Sequence, residues 1–194
     1  MFKKSFLAGW GIRFAPELKA CEEDAYYMSI VYACINRTRA EYVVMNVIPY
    51  LYGCNPDSIT RKNVPSFVVN ICVTRCTRYK AYLLYLRNHD FKEFFEDGVV
   101  EESVYMIWAT YKACARCIKQ YTPERLVEVE NAIFNTCVEI IRTYEFNMDK
   151  ILRTFANVRE TNIGMVGNIP LKYTATEAEF SEYLDTVVEA AKQN

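Results

Sequence analysis

The apolar residues of this chain repeat every three or four positions and almost nowhere every two, and that period decides what it can fold into. Leu126, Val129, Ile133, Cys137, Ile140 and Tyr144 fall on one helical face. Thr122-Pro123 in front of them reads as an N-cap followed by proline at the first helical position. Val100, Val104, Ile107, Trp108, Tyr111, Cys114 and Ile118 trace a second face, opened by Glu101 and Glu102, whose charges suit a helix N-terminus. A third runs through Phe67, Ile71, Cys72, Cys76, Tyr79, Leu83 and Leu86, and a last one carries Phe180, Tyr183, Leu184, Val187 and Val188. Residues 16–37 and 39–52 read as one long or two consecutive helices, ended by the turn-rich 53–58. Between 157 and 175 the period lapses around Gly164, Gly167 and Pro170. With no alternating pattern and no repeat, the expectation is an all-α single domain over 1–194, of roughly six to eight helices.

Composition narrows the chemistry. Among 194 residues there is one histidine, His89, so most Ser/His/Asp and Cys/His arrangements and every multi-histidine metal site are out of reach. Six glycines, none in a glycine-rich loop, leave no phosphate cradle. A net charge of −1, from 23 basic against 24 acidic residues, argues against a chain that neutralises long stretches of nucleic acid, although not against a local basic patch. No uncharged run is long enough to span a bilayer, and the first ten residues are too short for a convincing signal peptide. Most of the eight cysteines lie in helix-patterned segments, unlike a secreted disulfide scaffold, which favours a reducing compartment.

Cys114-Ala-Arg-Cys117 has C-x-x-C spacing, and Cys72 and Cys76 lie one helical turn apart, so four thiolates on facing helices would make a metal site. The same spacings are core spacings on an amphipathic helix, and the expectation is no metal. His89, between Asn88 and Asp90, is better placed as an exposed helix end than as a haem ligand. Arg61, Lys62, Arg75, Arg78, Lys80 and Arg87 concentrate positive charge, interleaved with Phe67, Tyr79, Tyr82 and Tyr85. The plain reading is a solvated face balanced by Glu93, Glu96, Asp97, Glu101 and Glu102. Cys76 lies beside Arg75 and two residues before Arg78; neighbouring guanidinium groups lower a thiol pKa and offer forks for carboxylates. A thiol that attaches a carboxylate-bearing ligand is therefore expected there.

Ser58-Ile59-Thr60-Arg61, then Cys76-Thr77-Arg78 and Tyr82-Leu83-Leu84-Tyr85-Leu86, resembles the phycobiliprotein pattern, in which an ITR loop leads to a helix carrying C-x-R-D. Asp97 to Val104 is similar to that family's turn into the next helix, Thr110-Tyr111-Lys112 to its ETY, Glu182 to Asp185 to its terminal YFD helix, and Gly53-Cys54-Asn55-Pro56 to a C-E-N-P turn of beta-type subunits. The resemblance, over roughly 40–190, implies a globin-like helical domain with an N-terminal helical extension for subunit pairing, and no enzymatic turnover. It implies a light-harvesting subunit of a phycobilisome-type antenna, holding a covalent linear tetrapyrrole (bilin). In that reading Cys76 forms the thioether, Arg78 and Arg75 bind propionates, Tyr79 faces the pyrrole nitrogens, and Cys54 is a second attachment point. Partners would be homologous subunits and linker proteins, in the plastid stroma or cyanobacterial cytoplasm at the thylakoid surface. Tyr79 stands where the family has aspartate, there is no counterpart of the second beta-type cysteine before the last helix, and residues 112–122 read as an insertion. A non-pigmented structural subunit is the nearest alternative. An alternative of another class is a helical RNA-binding viral coat protein, on Phe6-Leu7, Trp10, Leu18 and Ala132 to Arg142, with Arg61, Arg75, Arg78 and Arg87 on phosphates.

Overall fold

The computed structural model describes residues 2–18, 22–41, 43, 65–117, 123–161, 165–166, 169–170 and 177–193. Eight α-helices are present among these residues: α1 (Lys4–Gly9), α2 (Glu23–Thr38), α3 (Pro65–Asn88), α4 (Lys92–Glu96), α5 (Val99–Cys117), α6 (Pro123–Thr143), α7 (Met148–Thr161) and α8 (Glu177–Lys192). The protein is all-α, as its apolar period requires, in keeping with a globin-like packing of helices. One small exception follows α7, where β1 (Met165–Val166) pairs antiparallel with β2 (Ile169–Pro170). None of the described helices is long and apolar enough to cross a membrane.

Helices α3, α5, α6 and α8 enclose the larger core, with α7 against α5 and α8. The expected faces are the buried ones: Val100, Val104, Ile107 and Trp108 on α5, Val129, Ile133, Cys137 and Ile140 on α6, Phe180, Leu184 and Val187 on α8. Trp108 meets Phe180 with ring centroids 4.4 Å apart, and Tyr105 approaches Phe180 edge-on at 6.0 Å. Full burial of each such side chain is worth about 1.5–3 kcal/mol, which fixes α8 across α5.

A second core joins the N-terminal helices to the C-terminal half of α3 and to α4. Ile12, Ile30, Val31 and Cys34 pack against Leu86 and Phe91. Phe95 and Val99 border both cores. Arg37 closes this side: its guanidinium lies over the Phe91 ring at 4.5 Å and donates to the Asp90 carbonyl at 2.7 Å, satisfying the C-terminal end of α3.

Some boundaries differ from the sequence reading. The helix expected over 16–37 begins only at Glu23, because Pro16 and Glu17 form a turn that buries Ala15 and Leu18. Arg39 takes the left-handed conformation, with φ of 49°, and ends α2; most of 39–52 and all of 53–58 lie outside the described residues. Helix α7 carries on to Thr161, into the stretch where the period lapses. Its start is fixed by Asn147, whose Oδ1 accepts the Lys150 N–H at 3.2 Å, while buried Glu101 accepts the Asn147 N–H at 2.7 Å.

Candidate functional site

Residues three apart on a helix share a face, so Arg75 and Arg78 of α3 point the same way, toward the start of α2. There they meet Glu22, which is buried despite its charge. The Arg75 Nε–H donates to Glu22 Oε1 at 2.7 Å and an Arg75 Nη donates to the Thr110 hydroxyl at 3.0 Å. Arg78 Nε lies 2.8 Å from Glu22 Oε2, but its N–H is not aimed at the oxygen, so this contact is coulombic rather than a hydrogen bond. The Arg78 guanidinium rests 4.3 Å above the Tyr79 ring.

Cys76 lies on a different face. It is 3% exposed within the larger core, hydrogen-bonded to Thr136 and close enough to Cys137 for their charges to interact. Burial pushes its thiol up to about 12. Among the described residues Lys80 is the one cation that acts against this shift, and Lys80 itself is paired with Glu139. The expected guanidinium-activated thiol is therefore corrected: Arg75 and Arg78 neighbour Cys76 in sequence but serve Glu22, and the sulfur sits among apolar groups that favour its neutral form.

The charge balance is also different from the expected one. Within the basic stretch, Arg75 and Arg78 are matched by Glu22 of α2, Lys80 by Glu139 of α6, and Arg87 lies 5.9 Å from the Tyr144 ring. The acidic run 93–102 supplies none of these partners. Its Glu93 is 3.7 Å from Arg37, and Glu101 serves the α7 N-terminus.

Beside the Glu22 clamp lies a cavity of about 220 Å³ between α2, α3 and the start of α5, lined by Ser29, Arg78, Tyr79, Tyr82, Glu102 and Ser103, with Val99. It is smaller than the roughly 300–1,000 Å³ of pockets that enclose cofactor-sized ligands. Burial raises both tyrosines, Tyr82 to about 12 with the Glu102 carboxylate adding to the effect, so both hydroxyls are hydrogen-bond donors at neutral pH. Arg78 donates no hydrogen bond among the described residues, and Glu102 is exposed at the rim. Such a cavity suits one polar side-chain-sized group, held by Arg78 and two phenols.

Of the expected site residues, the structure brings Arg78 and Tyr79 together at this cavity, keeps Arg75 behind it on Glu22 and Thr110, and places Cys76 in the core. Cys54 and Arg61 lie outside the described residues, as do the side chains of Cys114 and Cys117 within α5. No group of three or more His, Cys, Asp or Glu that could hold a metal is found among the described residues. His89 does end α3, but it is half-buried, stacked on Tyr85 at 4.0 Å, with Nδ1 3.0 Å from the Tyr85 carbonyl oxygen.

Sequence reasoning missed Glu22, Ser29, Tyr82, Glu102 and Ser103 as a group. Glu22 sits in Cys21-Glu22-Glu23-Asp24, where acids favour a helix start, and nothing local shows that its carboxylate crosses to α3. No protein family, curated protein or solved structure matches the chain.

Proposed function

We infer that the protein is a non-catalytic helical assembly subunit that carries no pigment on Cys76, and that a partner subunit inserts a carboxylate or amide side chain into the Arg78 cavity. The observation that carries this reading is the separation of the groups a bilin would need. The Cys76 sulfur faces the core with its pKa pushed up to about 12, while Arg75 and Arg78 face Glu22. A thioether at Cys76 with propionates on Arg75 and Arg78 would have to reach around α3 and, at Arg75, displace the buried Glu22 carboxylate. The phycobiliprotein resemblance supplies the kind of assembly, a light-harvesting one, in which such a subunit would sit.

The coat-protein alternative loses its phosphate contact at Arg75, whose guanidinium already donates to the buried Glu22 and to Thr110. The test is native size measured by light scattering for the wild type and for Ser29→Tyr, which fills the cavity from its α2 side. The expected result is a wild-type complex larger than the 22.6 kDa chain that dissociates in the variant at unchanged melting temperature. A native monomer, or a complex indifferent to Ser29→Tyr, overturns the reading.

A further inference from the structure

The N-terminal arm presents a feature that neither the Arg78 cavity nor the family resemblance uses. Phe14 stacks on Tyr27 of α2 with centroids 4.5 Å apart and planes 9° from parallel, and Phe2 meets Tyr27 at 6.1 Å on a tilt. Yet Phe14 stays 58% exposed and Phe2 39%. An apolar ring supported flat on one side and open on the other is a stacking platform.

Cations neighbour both rings in the chain. Lys3 and Lys4 follow Phe2, Arg13 precedes Phe14, and all three are exposed. Among the described residues no carboxylate forms an ion pair with any of them. Residues 2–18 hold these three cations against the single anion Glu17, in a chain whose net charge is −1. Glu23 and Asp24 open α2 one turn before Tyr27.

We propose that this arm binds single-stranded nucleic acid, with a base stacked on the open face of Phe14 and phosphates on Lys3, Lys4 and Arg13. Exposed aromatics bordered by cations are how single strands are held without sequence preference, because every base has a π-face. An anionic membrane fits less well. A helix that lies in a bilayer surface turns its apolar side outward, whereas Phe6 and Leu7 of α1 are packed inward against the second core. The site is independent of the assembly reading, since none of these residues lines the Arg78 cavity.

The experiment is fluorescence anisotropy with a labelled single-stranded RNA of about 15 nucleotides. Three phosphate contacts predict that affinity falls about twentyfold between roughly 50 and 200 mM salt. Phe14→Ala should weaken binding by about five- to 150-fold, the worth of one base stack, with Phe14→Tyr restoring most of it. Because Phe14 is exposed, the variant's melting curve should match the wild type, and Lys3→Glu with Lys4→Glu provides a second variant that leaves the ring stack in place. Absence of binding at low salt, or affinity unchanged by Phe14→Ala, overturns the proposal. So does Phe14-dependent binding to phosphatidylserine vesicles without RNA binding, which would assign the arm to a membrane.

Discussion

Replacing Glu22 by alanine removes the one carboxylate shared by two largely buried guanidinium groups. The side chains are 6% exposed for Glu22, 20% for Arg75 and 15% for Arg78. Two cations would then face each other across the site that the carboxylate leaves, with the Thr110 hydroxyl still accepting from Arg75. Breaking a buried ion pair by deleting one partner costs about 3–5 kcal/mol, because the remaining charge stays desolvated. At a urea m-value of about 2 kcal/mol/M, the unfolding midpoint should fall by about 1.5–2.5 M. The readout is urea unfolding followed by circular dichroism, with hydrogen exchange to locate the damage. Amides of α2 should lose protection before those of α5 and α6, since Glu22 ties the N-terminal helices to α3. Replacing all three groups by apolar residues of similar size should recover most of the stability, because the desolvation cost disappears with the charges. A loss below about 1 kcal/mol for Glu22→Ala, the worth of an exposed ion pair, would refute the reasoning.

Three further outcomes follow from the packing. Stability should be level up to about pH 9 and fall from there toward pH 12: Cys76 and Cys137 are raised from 9.0 to about 12 and Tyr82 from 10.0 to about 12, so the unfolded chain releases these protons first. Each fully titrating group contributes up to about 1.4 kcal/mol per pH unit, and Cys137→Ala should flatten the slope of urea midpoint against pH. Gly98 has φ of +84°, and a Cβ there would meet Lys150 Cδ at 3.4 Å and Glu101 Oε2 at 3.5 Å. Gly98→Ala should therefore cost about 1–2 kcal/mol by thermal melting, mostly from the left-handed backbone. Phe180→Ala empties the space against Trp108 and should cost about 3–5 kcal/mol, with a change in tryptophan emission as α8 loosens.

The helices with regular apolar spacing were legible in the sequence because one stripe has to be buried whatever the partner. Val129, Ile133, Cys137 and Ile140 illustrate this, and Pro123 is the first residue of α6. Helix α1 escaped notice because six residues are too few to show a period, and α4 because it has only five. Helix α2 starts later than the expected 16–37 because Ala15 and Leu18 are buried by a turn rather than by a helix.

The candidate site was legible only in part, for a physical reason. Spacing says that Arg75 and Arg78 share a face and that Cys72, Cys76 and Leu83 share another. What each face meets depends on contacts such as Arg75 to Glu22, 53 residues apart in the chain. Adjacency in sequence suggested that Arg75 activates Cys76. About 100° of helical rotation between consecutive residues, together with burial, reverses that conclusion.

The pigment-free reading meets its sharpest check in a visible absorption spectrum of the protein from its native source, combined with mass mapping of the peptide that contains Cys76. The prediction is an unmodified Cys76 peptide and no visible band that follows it, in keeping with a thiol 3% exposed and pushed up to about 12. A visible band accompanied by an adduct of linear-tetrapyrrole mass on Cys76 would contradict it, and would mean that α3 turns its core face outward to receive the pigment.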